Sequence, residues 1–119
     1  MDDTWLDAWQ RDAAALTETT RRLAVDISTL TASASDPGRL VTVSVDSGGL
    51  LRDLRLTRQA MTRPPEDLAE RILSATRLAR ADIADAVAEL AAAVSGPATE
   101  AAREIADSYR DRFPREVAR

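Results

Sequence analysis

Residues 39–57 read RLVTVSVDSGGLLRDLRLT, and this stretch decides the fold. Val41, Val43 and Val45 alternate with Thr42 and Ser44, the period-two pattern of a strand with one buried face. Asp46-Ser47-Gly48-Gly49 supplies the glycine that a tight turn needs where the backbone takes a positive φ. From Leu50 to Thr57 the alternation resumes, which predicts Leu50, Leu54 and Leu56 on one face. Two such runs joined by an Asp-to-Gly turn predict a β-hairpin over 39–57. A lone hairpin is marginal in water, so flanking helices or a second copy of the chain must cover it.

Upstream, residues 3–29 are predicted to be helical. Trp5, Trp9, Ala13, Leu16, Thr20, Leu23, Ile27 and Leu30 follow at steps of three or four, the spacing of a coiled-coil seam. Asp2 or Asp3 is the predicted cap. The seam fits a dimerisation helix, and it fits equally an amphipathic helix lying on its own sheet. Residues 31–35 alternate small side chains and predict a weak strand before the Pro37-Gly38 turn.

Downstream, Pro64-Pro65-Glu66-Asp67 opens a second helix, predicted over 65–94. Proline is at home in a first turn, and acids there suit the helix dipole. Leu68, Ile72, Thr76, Ala79, Ile83, Val87, Leu90 and Val94 give it one apolar face. Ser95-Gly96-Pro97 breaks it. A short third helix follows from about 98 to 112, with Ala102, Ile105, Ala106, Tyr109 and Phe113 as its stripe, and 115–119 are expected to fray. The class is α+β: a long N-terminal helix, a two- or three-stranded antiparallel sheet, a long helix and a short C-terminal helix.

Composition narrows the function. The 119 residues contain neither cysteine nor histidine, which removes thiolate chemistry, the commonest general base and the commonest metal ligand. No catalytic residue, metal site or cofactor is predicted, and no small-molecule substrate. No segment is long and apolar enough to span a bilayer, and the acidic start MDDTWLDAW does not read as a signal peptide, so a cytoplasmic protein is expected. All sixteen cations are arginine, and with the abundant alanine and aspartate this points to a GC-rich bacterial genome.

The hairpin LVTVSVDSGGLLRDLRLT, its Pro-acidic helix start and the run LAERILSATRLARADIADAVAEL together resemble the YbaB/EbfC family of small bacterial nucleoid-associated DNA-binding proteins, with an actinobacterial-type member the best fit. The resemblance covers residues 12–94. It implies a YbaB-like domain over 1–94 with a helical extension over 95–119. It also implies an intertwined homodimer, cytoplasmic and nucleoid-associated, whose strands share a core while helices project as arms, with basic residues on those arms and near the sheet ends binding double-stranded DNA. Val41, Val43, Val45, Leu54, Leu56, Leu16, Leu23, Ile27, Ile72 and Ile83 are the candidates for the dimer core. The chain departs from the family pattern at Thr57, where an Asp usually closes the hairpin, and at Pro64. The tail beyond Val94 has no counterpart in short members, and the helices carry few cations.

Charge locates the candidate contacts. The net charge is −4, but residues 39–63 hold five arginines against Asp46 and Asp53 and form the only net-positive segment. Arg39, Arg52, Arg55, Arg58 and Arg63 are therefore candidate phosphate contacts, with Arg21, Arg22, Arg77 and Arg80 on the helices. Each also has a plainer reading as a solvated or ion-paired surface residue, Arg55 with Asp53 or Asp46. No aromatic residue interleaves with them, and no helix bears an Arg/Asn/Gln cluster for reading bases, so contacts to the DNA backbone with little sequence preference are expected. Trp5 and Trp9 stand one turn apart and are candidate anchors for a protein partner, or pack on the dimer or the third helix. The alternative function is an acidic YbaB-like adaptor or chaperone that binds a protein, for example in a specialised secretion or biosynthetic locus, and not DNA.

Overall fold

A computed structural model describes residues 4–116. The chain runs α1 (Thr4–Ser28), β1 (Thr31–Ser35), β2 (Val41–Asp46), β3 (Leu51–Leu56), a 3₁₀ turn (Gln59–Thr62), α2 (Pro65–Ala92), a second 3₁₀ turn (Gly96–Ala98) and α3 (Thr99–Arg112). The predicted caps Asp2 and Asp3 lie outside the described residues. The first 3₁₀ turn falls in what the sequence presents only as a connector, and α2 ends two residues before the predicted Val94.

The sheet is antiparallel in the order β1-β2-β3. Pairing sets Ala34, Val43 and Leu54 in one row, and Ser33, Ser44 and Asp53 in the next. One face is thus apolar and the other polar, as the alternation requires. The helix α2 packs on the apolar face over β1 and β2. Val41, Val43 and Val45 are fully buried there, together with Ala75, Ala79, Ile83 and Val87 of α2. Each buried valine contributes about 1.5–3 kcal/mol of hydrophobic stabilisation. Alanines in place of larger side chains let the helices approach closely. Ala91 of α2 and Ala102 and Ala106 of α3 join the same core, as do Leu23 and Ile27 from the last turns of α1.

The hairpin departs from simple alternation at one point. Ser44 pairs with Asp53 but Val45 pairs with Leu51, leaving Arg52 as an extra residue in a β-bulge. The bulge corrects the predicted face. Leu51, not Leu50, joins Leu54 and Leu56 opposite the valines, because the inserted residue resets the parity of β3. At the turn, Asp46 Oδ1 accepts from the N–H groups of Gly48 and Leu50, at 3.0 Å each, and Gly49 takes φ +80°. Phe113, just past α3, closes over this turn. A Cβ on Gly49 would lie 2.5 Å from Phe113 Cζ, so a side chain there meets both steric and backbone strain.

The expected fraying after α3 is corrected in part. Arg115 bridges Asp82 and Asp85 at 2.6 and 2.7 Å, and Glu116 meets Arg77 at 3.0 Å, so this segment returns along α2. The N-terminal part of α1 does the opposite and projects. The Cα radius of gyration is 19.8 Å, against roughly 13–14 Å for a compact chain of this length, and the long axis is 78 Å.

Candidate nucleic-acid interface

The arginines of residues 39–63 sit on turns, on the bulge and on the uncovered side of the sheet. Pro37-Gly38 turns the chain from β1 into β2, and Arg39 follows in the left-handed region at φ 57°, its N–H donating to the Asp36 carbonyl at 2.9 Å. Arg52 occupies the bulge. Arg55 stands opposite Thr42 on the polar face, and its Nε donates to Asp53 Oδ2 at 3.0 Å. Arg58 leads into the 3₁₀ turn, and Arg63 lies 4.0 Å from Asp67. Among the described residues, Arg39, Arg52 and Arg58 have no ion-pair partner within 4.0 Å.

The helix arginines are placed differently. Arg21 is clamped to Glu18 by two hydrogen bonds of 2.8 and 3.2 Å, which lower the carboxyl and raise the guanidinium from their ordinary values. Arg77 lies between Glu116 at 3.0 Å and Glu70 at 3.9 Å. The Nε of Arg80 donates to the Gly49 carbonyl at 2.8 Å, and its guanidinium sits 5.9 Å from the Phe113 ring centroid. Arg22, beside the cleft between α1 and the end of α2, is exposed. The structure therefore places Arg39 and Arg55 toward one end of the sheet and Arg52 toward the other, and leaves the helix cations scattered and, in three of four cases, engaged.

The anchor of this platform is a pair that the sequence reading does not single out. Asp36, at the end of β1, has a fully buried side chain. It accepts from the Val41 N–H at 2.8 Å and from Arg71 Nη1 at 2.7 Å. Arg71 also binds Asp67 at 2.9 Å. Burial pushes the Asp36 carboxyl up, but the Val41 N–H, the Arg71 guanidinium and the Leu40 N–H outweigh it and hold the carboxyl below its usual value. This clamp ties the β1–β2 turn, and with it Arg39, to the first half of α2. An aspartate just before Pro-Gly was the visible signal, since such a residue often serves the turn itself. Its partner, 35 positions away, carries no local mark.

The expected dimer-core residues divide. Val41, Val43, Val45, Leu23, Ile27 and Ile83 are buried by the chain itself, because α2 and the end of α1 enclose them. Ile72 is partly buried. Leu54 and Leu56 remain 40% and 38% exposed, with Leu51 at 44%, because α2 covers only β1 and β2. Leu16 is 37% exposed. Trp5 and Trp9 are 65% and 63% exposed on the projecting part of α1, so within one chain they do not pack on α3.

No group of three or more acidic, His or Cys side chains among the described residues could hold a metal ion. No helix there is long and apolar enough to cross a membrane. What the geometry offers is a three-stranded platform, closed by helices on one side, with a polar open side that carries Arg55, Asp53 and Asp46. The YbaB/EbfC DNA-binding family model matches residues 5–98, and the chain belongs to this family. The match takes in α1, the whole sheet, α2 and the second 3₁₀ turn, and stops where α3 begins. Among curated proteins, none matches the chain.

Proposed function

We propose that this protein is a homodimeric, nucleoid-associated protein of the bacterial cytoplasm that binds duplex DNA with little sequence specificity. The observation that carries the reading is the position of Arg39, Arg52 and Arg58, free of acidic partners among the described residues, on the one net-positive segment of a chain from a DNA-binding family. Such cations neutralise phosphates without reading bases, and no base-reading cluster accompanies them. The dimer reading rests on β3. It is an edge strand whose Leu51, Leu54 and Leu56 are left uncovered by the chain's own helix. An apolar row beside an unpaired strand edge is the kind of surface that a second copy covers. Dimerisation doubles the basic island.

Titration against a labelled duplex by fluorescence anisotropy tests the reading. Binding is expected at about 50 mM salt. Six phosphate contacts per dimer weaken it with a log–log slope of roughly −5. Unrelated duplexes of equal length are expected to bind within a few-fold of one another. Absence of binding at the lower salt refutes the proposal, because electrostatic contacts are strongest there.

A further inference from the structure

The sheet has one face that no element of the described chain covers. Two hydroxyl pairs cross it, Ser33 with Ser44 at 2.6 Å and Ser35 with Thr42 at 2.8 Å. Arg55 extends the second row on β3, opposite Thr42. Beside these rows Ser33, Ser35, Thr42 and Arg39 border a shallow depression of about 500 Å³. Short hydroxyls between the strands leave the surface flat, and six strand residues give it a length of about 20 Å. Its charge is uneven: Asp53 lies in these rows and Asp46, opposite Thr31, at the far end, whereas Arg39 and Arg55 stand at the end beside the β1–β2 turn. Only the Nε of Arg55 is spent on Asp53, leaving the terminal N–H groups of that guanidinium free. Asp36, under the rim, is neutralised by Arg71.

We infer that the phosphate backbone of the duplex lies across this open sheet face, held by Arg39 and Arg55 with the hydroxyls of Ser33, Ser35 and Thr42, and not between the projecting helices. The inference rests on the DNA-binding reading above and names its surface. Each hydroxyl pair spends one O–H on itself and keeps one to donate to a phosphate oxygen regardless of sequence, which suits contacts that position without specifying. The helices are poorer hosts. Arg21 is held by Glu18 through both Nε and Nη2, Arg77 lies between Glu116 and Glu70, and α1 presents Asp7 and Asp12 beside Arg11 along its projecting part.

The absence of cysteine makes a direct test possible. Ser33→Cys on the exposed edge strand and Gln10→Cys on projecting α1 are each coupled to a thiol-reactive photocrosslinker and irradiated with a labelled duplex of about 30 base pairs, long enough to span the roughly 20 Å face. Circular dichroism verifies that both variants fold. Cross-linking at least tenfold stronger from position 33 is expected. In parallel, Arg39→Ala/Arg55→Ala is expected to reduce the magnitude of the salt slope by about 2 per engaged face, at roughly 0.9 for each phosphate no longer neutralised. Arg21→Ala/Arg22→Ala is expected to leave the slope within about 0.5. Stronger cross-linking from position 10, or a slope that responds to the α1 pair and not to the sheet pair, overturns the open-face inference while DNA binding stands. A wild-type protein that fails to bind at about 50 mM salt overturns both.

Discussion

Replacing Asp36 by Asn removes the charge at the buried end of the Asp36–Arg71 pair while keeping nearly the same shape. The Asn carbonyl oxygen still accepts from Val41 N–H, now 2.8 Å from the carboxylate. What disappears is a charge-assisted hydrogen bond of 2.7 Å to a guanidinium whose side chain is only 22% exposed. Bonds of this kind contribute about 1.5–3 kcal/mol. Arg71 keeps Asp67, so the lower half of that range is expected, about 1.5–2 kcal/mol. Asp36→Ala also strips the Val41 N–H of its acceptor inside the protein, and the total is expected to reach about 3–5 kcal/mol. Urea unfolding followed by circular dichroism at one fixed protein concentration measures both, with an unchanged m-value expected. The sign with pH follows from the direction of the shift. A carboxyl held below its unfolded value adds stability that is fully present above that value, about 3.9, and is lost as pH falls through the lower folded value. The wild-type advantage over Asp36→Asn is therefore expected at neutral pH and to shrink in strong acid. A destabilisation of Asp36→Asn below about 0.5 kcal/mol at pH 7, or one independent of pH, refutes the claim that this pair fastens the β1–β2 turn to α2.

Three further outcomes follow from the packing. Gly49→Ala is expected to cost about 1–2 kcal/mol for its positive φ plus a clash with Phe113, and in a Phe113→Ala background only the backbone part should remain, so a double-mutant cycle by urea unfolding should be non-additive. Leu54→Arg should lower the light-scattering mass toward that of one chain with little loss of secondary structure, since Leu54 is 40% exposed in the single chain. Ile83→Ala, at a fully buried position between α2 and the sheet, should cost about 2–5 kcal/mol, whereas Trp9→Ala on projecting α1 should change monomer stability by no more than about 0.5 kcal/mol, both read by urea unfolding.

Most of the fold was legible because local chemistry and tertiary packing agree. Alternating valines, an Asp-to-Gly turn and an apolar helical stripe each specify an element, and α2 lies where the two apolar faces meet. Even the small-residue strand over 31–35 forms, since its alanines face α2 and its serines face the open side. Three features escaped for physical reasons. The bulge at Arg52 is invisible because an inserted residue leaves composition unchanged and alters only parity. The Asp36–Arg71 pair joins positions whose separation follows from the fold and from no local pattern. The grip of Arg115 and Glu116 on α2 depends on α3 turning back, which no periodicity in a short terminal segment announces. The candidate site was half legible. Counting charge found the segment, but only pairing revealed that the helix arginines are largely engaged and that the hydroxyls of β1 and β2 share a face with Arg55.

The bulge also bears on how such a surface can change over generations. Because Arg52 is the residue left over when Ser44 meets Asp53 and Val45 meets Leu51, its loss would restore a regular ladder without moving any neighbour to the other side. The strand thus holds a position whose insertion or deletion adds or subtracts one cation while leucines and hydroxyls keep their sides. Length variation, ordinarily disastrous within a strand, becomes here a way to change surface charge in single steps.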